Sequence, residues 1–515
     1  MRDALKILPI GEKAYDEAYK DAMTRIEGQN KDFKDLAHQV LGWITRAKRP
    51  MTTSELQHAL GVEIGQPKLD ESNCPEIAKI TSVCAGLVII DEQSQIIRLV
   101  HYTTQEYFDR TWQIWFSDAE RNIAEVCVTY LSYDIFNEGP SSTEDHFDAK
   151  LELNVLYGYA ANYWAHHTNI SLIGNSPLVM AFLEKECVVA ACTQAMVQSR
   201  YSFHAMKPFT GCMGIHLAAL AGIHEYMRDM IDKGVNLEAK DQKWGQTPLS
   251  WAAENGHEEV VRLLINAKVD VEAKDQGLEQ TPLLWAAKNG HKEVVKLLIN
   301  AKADVDTKDH KRRTPLSWAA VSGHEEVVKL LINAKADVDT KDYMGQTPLS
   351  WAAENGREEV AKLLINAKAD VDTKDDKSRT PLSWAAENGR EEVAKLLINA
   401  KADLDTKDDK SRTPLSWAAE NGREEVAKLL INAKADVDTK DDKSRTPLSW
   451  AAENGREEVA KLLINAKADV DIKDDKSRTP LSWAVKNGRE EVVKLLINAK
   501  ADMDTKDDKG RMPLS

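Results

Sequence analysis

Thr380-Pro-Leu-Ser-Trp-Ala-Ala-Glu-Asn-Gly-Arg-Glu-Glu-Val-Ala-Lys-Leu-Leu-Ile-Asn-Ala-Lys-Ala-Asp-Leu-Asp-Thr-Lys-Asp-Asp-Lys-Ser-Arg412 is one copy of a pattern that fills the second half of the chain. Pro381 suits a first helical turn, where its missing N–H is an orphan anyway, and Thr380 before it is a natural cap. Leu382, Trp384, Ala385 and Ala386 supply a buried face, and Asn388-Gly389 breaks the helix. Glu391-Glu392 complement the dipole of a second helix in which Val393, Leu396, Leu397 and Ile398 recur at helical spacing. That helix ends near Asn399, and the charged, turn-rich stretch Asp403 to Arg412 predicts a projecting finger.

The phrase recurs with Trp at 251, 285, 318, 351, 384, 417, 450 and 483. A fixed period of this size signals stacked supersecondary units. One period earlier, Met213-Gly214-Ile215-His216-Leu217-Ala218-Ala219 fits the same frame, and Met512 to Ser515 opens a unit that the chain end cuts off. The expected fold is mainly α: a solenoid of nine repeats plus a truncated tenth over 213–515. The pattern resembles the ankyrin repeat, with its Thr-Pro-Leu-His-x-Ala-Ala phrase, Gly-His pair and Val-Val-x-Leu-Leu helix. Thr281-Pro282-Leu283, Ala286-Ala287, Gly290-His291 and Val294-Val295-Lys296-Leu297-Leu298 carry the resemblance in one copy. Ser replaces that His in most copies, and Lys268, Lys302 and Lys335 stand where a helix-ending Gly is usual. A left-handed Lys costs roughly 1 kcal/mol relative to Gly. The periodic Trp, flanked by Ala-Ala, reads as core rather than as a stacking platform, and burying ~150–250 Å² of it at ~25 cal/mol per Å² offsets the Lys penalty.

Repeats opening at Thr347 and Thr413 are identical, and those at Thr380 and Thr446 differ from them only at Leu404 and Ile472. Identical units offer a periodic surface with little position-specific readout. The earlier copies vary: fingertips hold Lys243-Trp244, Leu278 within Gln276 to Gln280, His310 to Arg313, and Tyr343-Met344, while a helix position varies as Glu254, Lys288, Val321 and Glu354. Aromatic and Arg side chains on projecting tips are typical binding anchors. The candidate partner-binding set is therefore Lys243, Trp244, Leu278, His310, Arg312, Val321, Tyr343 and Met344, against the plainer reading of solvated turn residues. Protein partners are expected through the fingers and the concave face.

The first 212 residues follow another logic. Phe33, Leu36, Ala37, Val40, Leu41 and Ile44 have helical spacing up to Pro50; Thr52-x-x-Glu55 is a capping box, with Met51 and Leu56 as its staple. A third helix over Pro75 to Ala85 points Ile77, Ile80, Val83 and Cys84 inward, and Leu87 to Ile90 with Ile96 to Val100 makes a hairpin. Three helices and a hairpin predict a winged helix. Its third helix carries one Lys and one Glu, which argues for a scaffold rather than a groove reader. The expected domains are a helical lead-in at 1–32, the winged helix at 33–112, a helical linker at 113–212 and the repeats at 213–515.

The phrases Leu41-x-Trp43-Ile44, Val83-Cys84-Ala85-Gly86-Leu87 and His101-Tyr102-Thr103-Thr104-Gln105-Glu106-Tyr107-Phe108 resemble the segment after the NACHT NTPase in fungal NOD-like, NACHT-ankyrin proteins. That resemblance implies a role in non-self recognition or signalling. It also implies that His101 contacts a nucleotide phosphate when a NACHT domain is present. No Gly-x-x-x-x-Gly-Lys-Ser/Thr loop occurs in the chain, so His101 reads here as a helix-start residue and no cofactor is expected. The alternative function is a fragment of an NTP-driven NACHT switch whose nucleotide-binding domain is missing; by this reading the chain is either a natural short regulator or truncated at both ends.

The chain of 515 residues carries a net charge of −15, and within 213–515 only Lys311-Arg312-Arg313 gathers basic residues, which disfavours nucleic acid. All six Cys lie at or before residue 212 without a Cys-x-x-Cys pair, so neither zinc nor a disulfide framework is suggested. No Gly-x-Ser-x-Gly elbow or paired-His metalloprotease helix is present, and a non-catalytic protein is expected. Ile7-Leu8-Pro9-Ile10 is too short for a signal-peptide core, and Ser171 to Leu183 is too short and too broken for a membrane span. The expected location is cytoplasmic, with the nucleus as the other compartment, and an uncapped last repeat favours self-association.

Overall fold

The computed structural model describes residues 12–198 and 211–512. The Ile7 to Ile10 stretch and Pro513 to Ser515, read above, lie outside the described residues. These divide into two compact units: the chain to Ala252 with His257–Asp270, and Ala253–Gly256 with Val271 onward.

In the first unit α1 (Glu12–Glu27) and α2 (Lys31–Arg46) precede β1 (Met51–Thr52), α3 (Thr53–Gly61), α4 (Ile77–Val83), β2 (Val88–Ile90), β3 (Ile96–Leu99) and α5 (Tyr102–Trp115). The Thr52–Glu55 capping box is formed in both directions: the Glu55 N–H donates to Thr52 Oγ1 and the Thr52 N–H to Glu55 Oε2. The hairpin gains a third strand, because Met51 pairs with Ile97 and Thr52 with Ile96, giving the antiparallel order β1-β3-β2. Phe33, first of the apolar residues at helical spacing in α2, is not covered: it is 42% exposed in the first turn, and Lys79 Nζ lies 5.6 Å from its ring.

A helical region follows, comprising α6 (Ala119–Leu131), α7 (Glu144–Leu153), α8 (Tyr157–Ser171), α9 (Pro177–Leu183) and α10 (Glu186–Gln198). A buried polar network ties α2, α6 and α8 together. Glu120 accepts from Arg46 Nε at 2.8 Å and meets His167 Nδ1 at 2.5 Å, while His167 Nε2 lies 3.0 Å from the Tyr159 hydroxyl. Burial pushes the Glu120 carboxyl up, but the His167 and Arg46 contacts outweigh it and hold it below the ordinary value.

From Gly214 onward the described chain is nine pairs of short helices, Gly214–Ala221 with His224–Asp232 through Pro480–Lys486 with Glu490–Asn498. Within the second unit each pair stacks on the next, a solenoid-like arrangement. Thr314, Thr347, Thr380 and their equivalents cap the first helix through the hydroxyl, with Pro at the next position. Gly389 ends it at φ +68°, and a Cβ there would meet Arg423 Cδ at 2.8 Å, so position 389 needs glycine for two reasons. Arg423 uses that space to donate from Nε to the Glu387 carbonyl at 3.0 Å. The expected left-handed lysines are all present, from Lys268 (φ +62°) to Lys500 (φ +65°).

Candidate protein-interaction face

The fingers are less purely solvated than their composition suggests, because those from Asp241 to Asp474 begin on a buried aspartate. Asp375 accepts the N–H groups of Lys377 and Arg379 through Oδ1, both at 2.8 Å, which folds the turn back on itself. Consecutive tips are stitched by backbone bonds: His310 N–H to the Leu278 carbonyl, Tyr343 N–H to Lys311, Asp376 N–H to Met344, each at 3.0 Å. A second seam joins the repeats, as the Asp370 N–H donates to Asp339 Oδ1 and the Asp403 N–H to Asp372 Oδ1.

Along the first helices, Trp, Arg, Asp and Glu make a continuous row. In the later repeats Arg379 lies 3.5 Å over the Trp384 ring, 3.3 Å from Asp375 and 3.2 Å from Glu387. Arg412 and Arg445 repeat that arrangement with Asp408 and Glu420, and with Asp441 and Glu453. Partial burial pushes the Glu387 carboxyl up, and Glu354 and Glu420 on either side add to the rise against the pull of Arg379 and Arg412. The Trp rings are core residues with a polar edge: Trp384 and Trp417 are each 8% exposed, whereas Trp285, Trp318 and Trp351 are half-buried.

The row changes composition in the earlier repeats. Where the later ones pair Arg with Glu eight residues on, the repeats opening at Thr281 and Thr314 place Gln280 with Lys288 and Arg313 with Val321. The repeat at Thr347 pairs Gln346 with Glu354 through a 3.0 Å hydrogen bond. Lys288 Nζ and Arg313 Cζ both lie 4.8 Å from the Trp318 ring centre.

The candidate residues read from the fingertips fall into different settings. In the first unit Lys243 and Trp244 are half-buried, with Lys243 Nζ 4.3 Å over the Trp244 ring and that ring 5.4 Å from Trp251. Burial pushes the Lys243 ammonium down to about 8, with Asp241 opposing. In the second unit Leu278, His310, Arg312 and Tyr343 are exposed, while Met344 and Val321 are half-buried. Arg312 occupies a left-handed position at φ +59°. Leu278 and His310 are brought together directly, the imidazole Nδ1 lying 3.1 Å from the Leu278 carbonyl oxygen. Asp275, Asp309 and Asp342 were missed by the sequence reading, which named Gln280 and Arg313 among the fingertips and Lys288 and Val321 among the varying helix positions but did not pair them.

His101 caps α5, its Nδ1 accepting the Thr103 N–H at 3.3 Å beside the Tyr102 ring. An open cavity of about 520 Å³ in the same unit is lined by Asp35, Trp43, Trp115, Asp118 and Glu125, with no Lys or Arg among its lining residues. Its carboxylates would repel a phosphate. No group of three or more His, Cys, Asp or Glu among the described residues is placed to hold a metal ion. No helix among them is long and apolar enough to cross a membrane.

Stacked helix pairs with stitched fingers define a repeat solenoid, whose usual work is binding other proteins. Comparison with protein families then gives two matches: ankyrin repeats (3 copies) over residues 171–275, 215–309, 283–375, 349–441 and 415–507, and the winged helix domain of GPI inositol-deacylase over 24–113. The chain belongs to the ankyrin-repeat proteins. The first ankyrin match begins in the helical region, where Ser176 and Pro177 open α9 with a hydroxyl cap and a Pro, as Thr and Pro do in the later repeats. Comparison with curated proteins finds no match.

Proposed function

We propose that this chain is a non-catalytic adaptor or sensor arm of the NOD-like receptor type, working in non-self recognition or signalling, and that repeats 243–346 hold its specificity. The carrying observation is the contrast within one row: later repeats close their own charges, while the earlier ones vary at the same positions and expose Leu278 and Tyr343 at their tips. The winged helix immediately before the helical region supports the receptor-like domain order. The test is capture from a host lysate by the full chain beside Leu278→Ala/Tyr343→Ala/Met344→Ala. Loss of one defined partner from the variant is expected; equal recovery by both baits removes the fingertips from recognition.

The second reading, a part of an NTP-driven switch, draws on His101 at the start of α5. It requires saturable ADP binding in calorimetry that His101→Ala abolishes; absence of heat leaves the adaptor reading alone.

A further inference from the structure

Two cations in the earlier repeats lack the Asp–Glu pair of partners that holds Arg379, Arg412 and Arg445. Arg313 comes no closer than 3.7 Å to Asp342, beyond hydrogen-bond reach, and its buried Nε is unpaired. Val321 stands where Glu387, Glu420 and Glu453 neutralise the later arginines. Lys288 makes no ion pair among the described residues and is held only against the Trp285 and Trp318 rings, at 4.7 and 4.8 Å. Beside this pair Gln280 is fully buried with both amide atoms unpartnered, whereas its equivalent Gln346 donates to Glu354.

The aspartates around them are already engaged. Asp275 accepts from Trp285 Nε1 at 3.2 Å and the Leu278 N–H at 2.8 Å; Asp309 accepts from Trp318 Nε1 at 3.0 Å and from the Lys311 and Arg313 N–H groups at 2.8 Å. Burial pushes the Lys288 ammonium down and the Arg313 charge adds to it, against Glu254 and Asp309. An added anion relieves that repulsion and supplies the missing acceptor.

Resting on the interaction-module reading above, we propose that Lys288 and Arg313, joined across Trp318, bind the side-chain carboxylate of an acidic segment on the protein partner. Exposed Leu278 and Tyr343 on the tips of these repeats add apolar contacts beside it. A singly charged carboxylate fits better than a phosphate, because Asp275, Asp309 and Asp342 repel a second negative charge.

The chain itself supplies the control substitutions. Lys288→Glu recreates the Gln346–Glu354 pairing and Val321→Glu the Arg379–Glu387 pairing, both of which this sequence already folds. The experiment displays random 12-residue peptides to the full chain and measures selected peptides against wild type, the Lys288→Glu/Val321→Glu double variant and Lys486→Glu at the last repeat. Selection of peptides rich in Asp or Glu is expected, weakened about tenfold or more by the double variant and less than about twofold by Lys486→Glu. Acidic peptides bound equally by the double variant, or selected peptides without acidic residues, overturn this site but leave the interaction module standing. Tighter binding when phosphoserine replaces the selected acidic residue overturns the carboxylate assignment. Failure to select any peptide overturns the interaction reading and this site with it.

Discussion

The repeats opening at Thr281 and Thr314 and those from Thr380 to Thr446 share a backbone but not an inner row. Both sets carry the Asp, the Trp and the left-handed Lys: Lys302 at φ +69° and Lys401 at φ +68° are conformationally equal. Within that row the difference lies at two positions per repeat, the residue before Thr-Pro and the helix residue eight further on. Where Arg meets Asp and Glu, the arginine is locked between carboxylates over a buried Trp; where Lys288 and Val321 replace Glu, Lys288 has aromatic faces alone and Arg313 adds to its rings only Asp342 at 3.7 Å. One backbone thus supports repeats that pair their charges, at the cost of an unpartnered indole N–H at Trp384 and Trp417, and repeats with unmet charge, and the latter suit recognition.

The largest contrast should appear at tryptophan. Trp417→Ala, at an 8% exposed position, should cost about 3–5 kcal/mol in urea unfolding, and Trp318→Ala, half-buried, visibly less; equal losses would remove the packing difference. Next comes arginine. Arg379→Gln leaves Asp375 and Glu387 without their cation and should cost about 2–4 kcal/mol. Arg313→Gln forfeits mainly its stacking on Trp318 and Trp351 and should cost about 1 kcal/mol. The smallest effect concerns acid. Glu387 has a folded-state value raised above its ordinary 4.5, so the folded state binds the proton more readily than the unfolded state. Stability from this group therefore rises as pH falls through the range just above 4.5 and is lost as pH rises out of it. Urea midpoints of wild type and Glu387→Gln, which carries a neutral group at any pH, should converge as pH drops from 7 toward that range; parallel lines would show that Glu387 is not strained.

Much of this was legible in the sequence, and what was missed shares one cause. The period, Thr-Pro caps, Gly breaks and left-handed lysines are local rules that any single copy states. The capping box at Thr52 and the hairpin were equally local. Phe33 and the third strand were not: whether a first-turn aromatic is covered, or a two-residue stretch finds an edge, depends on what packs beside it. The finger aspartates were read as solvated because their charge is visible and their burial is not. Asp375 goes inward because a turn N–H pair and a guanidinium from its own repeat satisfy it.

By itself, then, the sequence determined the repeat, its register and the positions at which copies differ, because helix caps, breakers and apolar periodicity act over a few residues. Only the tertiary structure decided which charges are neutralised, since Arg379, Asp375 and Glu387 meet across a finger and a helix, and Lys288 and Arg313 share Trp318 between adjacent repeats. Coulombic and cation–π energies fall off within a few ångströms, so they depend on a proximity that spacing along the chain does not state.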